Sequence, residues 1–180
     1  GEAPGVQAVL PPAFFDKPAE ILARELLGTC IVTHSTDGLQ RFVVTETEAY
    51  LGPHDLACHT ARGRTTRTVV MFGPPGGLYV YFTYGMHVCA NVVVGEAGDP
   101  GAVLVRAGEV VSGVELARSR RPGASDRDLA RGPARLCRAL GIGLEHDGVD
   151  LASGAVRLGA GESVTTVSTG PRVGLRAAPD

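Results

Sequence analysis

No apolar run in the chain approaches the ~20 residues that a bilayer-spanning helix needs, so helical membrane insertion is excluded. Cysteine is sparse and dispersed. Cys30, Cys58, Cys89 and Cys137 form no CxxC or CxxH pair, and the five histidines are equally scattered, whereas zinc sites gather their ligands at such short spacings. Cys58 and His59 adjoin, but neighbouring side chains on a strand point apart. Buried thiols, no metal and no cofactor are expected. The GxGxxG, P-loop, GxSxG, HExxH and HxE…PCxxC patterns are missing too, which removes support from dinucleotide, nucleotide triphosphate, serine-esterase, zinc-protease and zinc-deaminase chemistries. The N-terminal GEAPGVQAVLPPAFF carries prolines and no basic lead-in to an apolar core, unlike a secretory leader. An intracellular protein is expected.

What is present is one domain's worth of chain, 180 residues and 18.6 kDa, expected to fold as a single domain over 1–180. With 44% apolar and 20% charged residues it has the composition of a globular protein. The formal charge of -2 is unevenly spread: residues 1–59 carry three basic and eight acidic side chains, 60–139 eleven and six, and 140–180 three and five. All eleven basic residues of the middle segment are arginines, well suited to bidentate phosphate contacts. A basic face explains this pattern, and so does an arginine-rich composition in a chain whose one lysine is Lys17.

Asp16 as N-cap, Pro18 in the first turn and Gly28 past the end mark a short helix with Ile21, Leu22 and Leu26 on one side. CIVTH and RFVVTETEAY, joined by a turn at Asp37-Gly38, predict a first β-hairpin, and LYVYFTY-GMH-VCANVVV a second. AVLVRAGEV predicts a further strand. Ser112 and Glu115 suggest a capping box for a helix ending before Pro122, and Pro133 opens another, PARLCRAL, that stops at Gly141. Short strand-like pieces follow Val149. Strands adjoining as hairpins rather than alternating with helices predict the α+β class, a mostly antiparallel sheet with helices packed on it.

Three features resist a purely structural reading. Glu46, Glu48 and Tyr50 share one face of a strand in which carboxylates are disfavoured, although a solvated edge strand would also explain them. Arg106 stands alone in the apolar run AVLVRA, where an arginine is either surface-facing or paired with an acid. Tyr79, Tyr81, Phe82 and Tyr84 crowd one hairpin of a chain with nine aromatic residues, and Tyr84 adjoins the turn, far from any core. A carboxylate, an arginine and an aromatic hairpin suggest water activated beside a flat, stackable substrate.

The strings FFDKPAEILARELLG, VVTETEAYLGPHDLACH, MFGPPGGLYVYFTYGMHVCAN, AVLVRA and RGPARLCRALGI, in this order and spacing, resemble the alkyladenine (3-methyladenine) DNA glycosylase family over most of residues 14–150. The resemblance implies a monofunctional DNA glycosylase with a curved, mostly antiparallel sheet and a protruding β-hairpin. Such an enzyme flips alkylated or deaminated purines out of duplex DNA, hydrolyses the N-glycosidic bond and leaves an abasic site. By it, Glu48 activates the attacking water and Arg106 helps hold that water. Tyr50, His59 and Tyr81 surround the flipped base, and Asn91 crowds the guanine amino group. Tyr84, with Met86 and His87 beside it, fills the gap in the duplex, and Arg62, Arg64 and Arg67 contact DNA. It further implies damaged double-stranded DNA as partner, a monomer, no membrane, an abasic-site endonuclease downstream, and an intracellular, DNA-associated location (cytoplasm or nucleoid in a bacterium). Strand cutting through a Schiff base would need an amine nucleophile, and Lys17 matches none. The alternatives are a catalytically silent damage-binding protein using the same wedge and pocket, against which Glu48 and Arg106 speak, and a small-molecule hydrolase, which leaves Tyr84 and the arginines unexplained.

Turn chemistry and pocket chemistry disagree about the second hairpin. A two-residue turn begun by Gly85 would pair Tyr84 with His87 and set Tyr81 and Asn91 on opposite faces. A three-residue loop, Gly85-Met86-His87, pairs Tyr84 with Val88 and Tyr81 with Asn91, as a shared pocket requires. The second register is the expected one. For the basic loop, replacing Arg62, Arg64 or Arg67 singly by Ala should weaken binding to damaged and undamaged duplexes alike and reduce the salt slope by roughly one per lost phosphate contact. Unchanged slopes in all three would make them solvated surface.

Overall fold

The computed structural model describes residues 9–51, 75–83, 87–95, 101–161, 167–170 and 174–177. A 3-10 turn, Pro12–Phe15, precedes helix α1, Ala19–Glu25. The cap of α1 is Pro18 and not the expected Asp16, because PAFF winds first and Asp16 closes that turn. Proline is tolerated there because a helix's first N–H groups lack intrahelical partners in any case. Leu22 and Leu26 are buried as the pattern predicts, and Ala23 with them, but Ile21, about 100° around the helix from Leu22, is exposed. Gly28, at a φ of 83°, takes the left-handed conformation that ends the helix and donates its N–H to the Val44 carbonyl.

The sheet is antiparallel throughout and contains β1 (Cys30–Ser35), β2 (Gly38–Leu51), β3 (Leu78–Thr83), β4 (His87–Val93), β5 (Gly101–Ser112) and β6 (Val156–Gly159) in the order β3-β4-β5-β2-β1-β6. It curls into a half-barrel. Two short strands, β7 (Val167–Gly170) and β8 (Gly174–Ala177), pair with each other, and β8 joins β2 at Glu46 and Thr47 beyond the end of β1. Helices α2 (Val114–Arg120) and α3 (Pro133–Leu140) complete the α+β arrangement. Pro133 opens α3 and Gly141 closes it, as predicted. The capping box does not form: Ser112 is the last residue of β5, and Gly113, at a φ of 71°, precedes α2 without a side-chain cap.

Two turns also differ from expectation. Ser35 pairs with Gly38, so the first hairpin turns on Thr36-Asp37, one residue earlier than predicted. In the second, Thr83 pairs with His87, Tyr81 with Cys89 and Tyr79 with Asn91, a shift of two residues from the predicted pairing of Tyr81 with Asn91. A two-residue shift leaves every side chain on its face, so alternation cannot distinguish the registers. The other end of the ladder decides, where Gly76 and Gly77 extend the pairing through hydrogen bonds to Val93 at 2.9 Å.

One face of the sheet packs against the helices. Phe42 and Val44 of β2, Leu78 and Val80 of β3, Ala90 and Val92 of β4, and Val103 and Val105 of β5 join Leu22 and Leu26 of α1 and Leu136 and Leu140 of α3 in the core. The buried Thr47 hydroxyl donates to the Ala23 carbonyl at 2.7 Å, fixing α1 on β2. The core positions of β2 are thus even-numbered up to Val44 and odd-numbered from Thr47. The change occurs where the β2–β5 register breaks: Val44 pairs with Gly108, Glu46 with Ala107 and Thr47 with Val105, leaving Thr45 and Arg106 each unpaired. These facing irregularities cancel in register but reverse the alternation of both strands. Gly108 allows the crossing, because a Cβ there would strike the Phe42 ring and the Val43 carbonyl. Gly108→Ala should therefore destabilise the fold by about 1–3 kcal/mol, read as a lower urea midpoint at unchanged m. An unchanged midpoint would show that Phe42 can move aside.

Candidate active site

The face away from the helices carries a second, small cluster: Tyr79, Val93 and Ala102 are buried, with Tyr50 and Tyr81 packed against them. Its layout follows from the pairing. Tyr79 lies opposite Asn91, Asn91 opposite Leu104, and Leu104 opposite Glu48, so one row crosses β3, β4, β5 and β2. The next row begins with Tyr81 opposite Cys89 and leads to the corner where Arg106 meets Glu46. The row on the other side places Val93 opposite Ala102 and Ala102 opposite Tyr50. Neighbouring strands are about 4.8 Å apart, so Glu48 and Asn91, two strands apart, can flank one flat ligand.

Charge is concentrated at one end of this surface. Arg106 Nη1 donates to Glu48 Oε2 at 2.8 Å, and its Nε donates to Glu46 Oε1 at 3.3 Å. The Glu48 side chain is only 12% exposed and that of Arg106 29%, so this ion pair is much drier than the surface pairs on α2. The Tyr50 hydroxyl is hydrogen-bonded to Glu48. Burial, followed by the adjacent Glu48 charge and that hydrogen bond, pushes the Tyr50 pKa up to about 12. Glu48 is thereby held between a cation and a neutral phenol.

Aromatic surface occupies the other end. The rings of Tyr79 and Tyr81 stack with centroids 5.2 Å apart and planes 24° from parallel. Tyr79 is buried, and Tyr81, half-buried, has its hydroxyl pKa raised, first by burial and then by Cys89. Asn91 is buried and donates through Nδ2 to the Tyr79 carbonyl at 3.4 Å. Among the described residues, no group of three His, Cys, Asp or Glu side chains is placed to hold a metal.

Of the residues singled out by sequence, Glu48, Arg106, Tyr50, Tyr81 and Asn91 come together on this face. Tyr81 and Asn91 share it diagonally and not side by side. His87 begins β4 at the exposed end of the hairpin. His59, Arg62, Arg64, Arg67, Tyr84 and Met86 lie outside the described residues. Sequence reading did not assign Tyr79, Cys89 or Leu104 to the site, although the alternation that carries Tyr81 and Asn91 carries them too. It also missed that Arg106 holds Glu46 as well as Glu48. A separate cavity of about 620 Å3 beside Glu46, lined among others by Arg118, Arg127 and Arg131, shares with this cluster only Glu46.

The family described as methylpurine-DNA glycosylase (MPG) matches the chain over residues 13–180. A protein of Burkholderia lata named "Putative 3-methyladenine DNA glycosylase" is 48% identical over 184 residues, covering 96% of this chain and 84% of its own length. One of the same name from Streptomyces avermitilis is 49% identical over 168 residues, with 90% and 79% covered. A third of that name, from Methanocella arvoryzae, is 43% identical over 169 residues, with 93% and 84% covered.

The Tyr50 environment can be checked directly. Its folded pKa lies above the unfolded value of 10.0, so its contribution to stability is complete below pH 10 and is lost as pH rises towards about 12. Alkaline spectrophotometric titration should show a late tyrosine transition near 12 that Tyr50→Phe removes. Loss of a transition near 10 in Tyr50→Phe, with the late one retained, would contradict the contact with Glu48.

Proposed function

Because the chain belongs to the methylpurine-DNA glycosylase family and is a DNA glycosylase, a hydrolase of N-glycosyl bonds, we propose that it removes alkylated or deaminated purines by flipping them onto the Glu48–Tyr81 face. The observation that carries this reading is the half-buried Glu48–Arg106 ion pair, set on the same sheet face as the Tyr79–Tyr81 stack. A glycosidic bond inside a duplex is out of reach of any side chain, so the nucleotide must leave the stack at a cost of a few kcal/mol, least for a damaged pair. Purines such as 3-methyladenine and 7-methylguanine are cationic. Stacking them on tyrosine adds attraction of about 0.5–2 kcal/mol, and their charge makes them better leaving groups.

In the proposed reaction, a water beside Glu48 attacks C1′ while the bond from C1′ to the base nitrogen breaks and its electron pair leaves with the base. The Glu48 carboxylate takes the proton of the water and opposes the positive charge that develops on the sugar. Arg106 holds Glu48 and helps place the water. The products are the free base and an abasic sugar. Tyr50 and Tyr81 contact the faces of the base, His59 completes the pocket, and Asn91 excludes the guanine amino group. Tyr84, with Met86 and His87, takes the position of the extruded nucleotide, while Arg62, Arg64 and Arg67 bind phosphates. The protein acts as a single-domain monomer on damaged DNA inside the cell, without a metal or cofactor, and an endonuclease of the abasic-site class consumes its product.

Duplexes containing hypoxanthine, 1,N6-ethenoadenine or 7-methylguanine, incubated with the protein and then cleaved at abasic sites by alkali, provide the test. Base release from at least one is expected. Glu48→Gln should lower single-turnover release by at least about a hundredfold while lesion affinity stays within about tenfold. Glu46→Gln, which keeps an acceptor for Arg106 Nε, should retain most activity. The reverse ranking would falsify the assignment of the carboxylate.

A further inference from the structure

β3 is the terminal strand of the sheet order, and among the described residues one of its edges has no neighbouring strand. A short stretch of chain far along the sequence covers part of that edge. Gly148 N–H donates to the Leu78 carbonyl at 2.7 Å, Leu78 N–H to the Val149 carbonyl at 2.9 Å, and Leu151 N–H to the Gly76 carbonyl at 3.0 Å. Gly77 and Asp150 form an antiparallel bridge between them. The cover then runs out. A 3-10 turn, Leu144–His146, ends at Asp147, whose N–H points back to the Leu144 carbonyl, and Gly148 takes a φ of 87° to redirect the chain. No main-chain carbonyl of this segment follows β3 to Val80. The Asp147 carboxylate reaches there instead, and its Oδ1 accepts the Val80 N–H at 2.8 Å.

That N–H belongs to the peptide joining Tyr79 to Val80, the residue that separates the two tyrosines. Both rings project from the residues on either side of Val80, and they stack on each other. Further along the hairpin the Phe82 side chain is 39% exposed, and among the described residues the contacts of the 147–151 segment along this edge end at Val80. We propose that Asp147 is a positioning residue, a carboxylate that substitutes for a missing strand and fixes the Tyr79–Val80–Tyr81 backbone so that the aromatic wall is set before DNA arrives. This rests on the reading of Tyr81 as part of the base site. Burial raises the Asp147 pKa while the Val80 N–H lowers it, in keeping with a carboxylate withdrawn from water to make this contact.

The test compares the full chain with Asp147→Ala and Asp147→Asn, the latter keeping a side-chain carbonyl as acceptor. Amide hydrogen exchange without DNA reads the clamp: in Asp147→Ala the Val80 amide should exchange about tenfold faster, while Leu78, held by a backbone carbonyl, is unchanged. Affinity for a hypoxanthine duplex should fall about tenfold, the loss of one charge-assisted hydrogen bond, with undamaged-duplex affinity unchanged within about twofold. Asp147→Asn should recover most of both losses. Where Asp147→Ala does not fold, Asp147→Ser, too short to reach Val80, replaces it. Unaltered exchange at Val80 overturns the clamp. Faster exchange with undiminished lesion affinity overturns its positioning role. A wild-type protein that neither binds nor processes any lesion duplex would sink the base-site reading, a failure told apart from that of the clamp by the exchange rates.

Discussion

Thr45 and Arg106, unpaired at facing points of β2 and β5, are the constraint on which both faces of the sheet depend. Phe42 and Val44 point into the core from even positions, and uninterrupted alternation would carry Glu46, Glu48 and Tyr50 in after them. Two carboxylates facing α1 would be buried without partners, among the costliest events in a protein interior. The reversal sends Thr47 and Ala49 inward instead and releases the two glutamates to the other face. Because β5 reverses at the same level, Arg106 arrives on that face beside them. One local irregularity keeps the core apolar and assembles the charged end of the site.

The site joins two kinds of surface that rarely share a sheet face. At one end, a guanidinium bridges two carboxylates and a phenol lies against the more buried of them. At the other, a buried tyrosine supports a half-buried one. Leu104 separates them, opposite Glu48 on one side and Asn91 on the other. A flat, cationic leaving group attached to a sugar needs both surfaces at once, aromatic for the base and anionic for the sugar carbon. The order of strands sets the distance between them, so the fit of the proposed base site is as much a property of topology as of side-chain choice.

Much of this could be read from the chain itself, and the failures have identifiable causes. Alternation over β2 and β3 placed Glu46, Glu48 and Tyr50 on one face and made Arg106 conspicuous, because a charge in an apolar run needs a partner. Proline and glycine marked α3 at both ends, since each acts through its own backbone and needs no distant contact. Signals requiring two particular residues to meet were weaker. Ser112 and Glu115 have the spacing of a capping box, yet pairing of β5 with β2 extends to Ser112 and leaves Gly113 to start the helix. Asp37-Gly38 has turn chemistry, but the pairing of Ser35 with Gly38 places the turn one residue earlier. Ile21 is apolar and still faces out, because seven residues of helix offer only a narrow buried stripe. The hairpin register was out of reach for a simpler reason: a shift by two preserves every local preference, and only contacts at Gly76 and Gly77 distinguish the possibilities.

The strand order also fixes when the site can exist during synthesis. β2 leaves the ribosome early and β3 and β4 follow, but in space β5 stands between β4 and β2 and is the last of the four in the chain. Until Ser112 has emerged, Glu48 has neither Leu104 beside it nor Arg106 to face, and the tyrosine hairpin is a separate ribbon. Contacts this distant in sequence form only after the intervening chain is closed into a loop. The carboxylate and the aromatic wall therefore cannot become one surface before β5 has taken its place between β4 and β2.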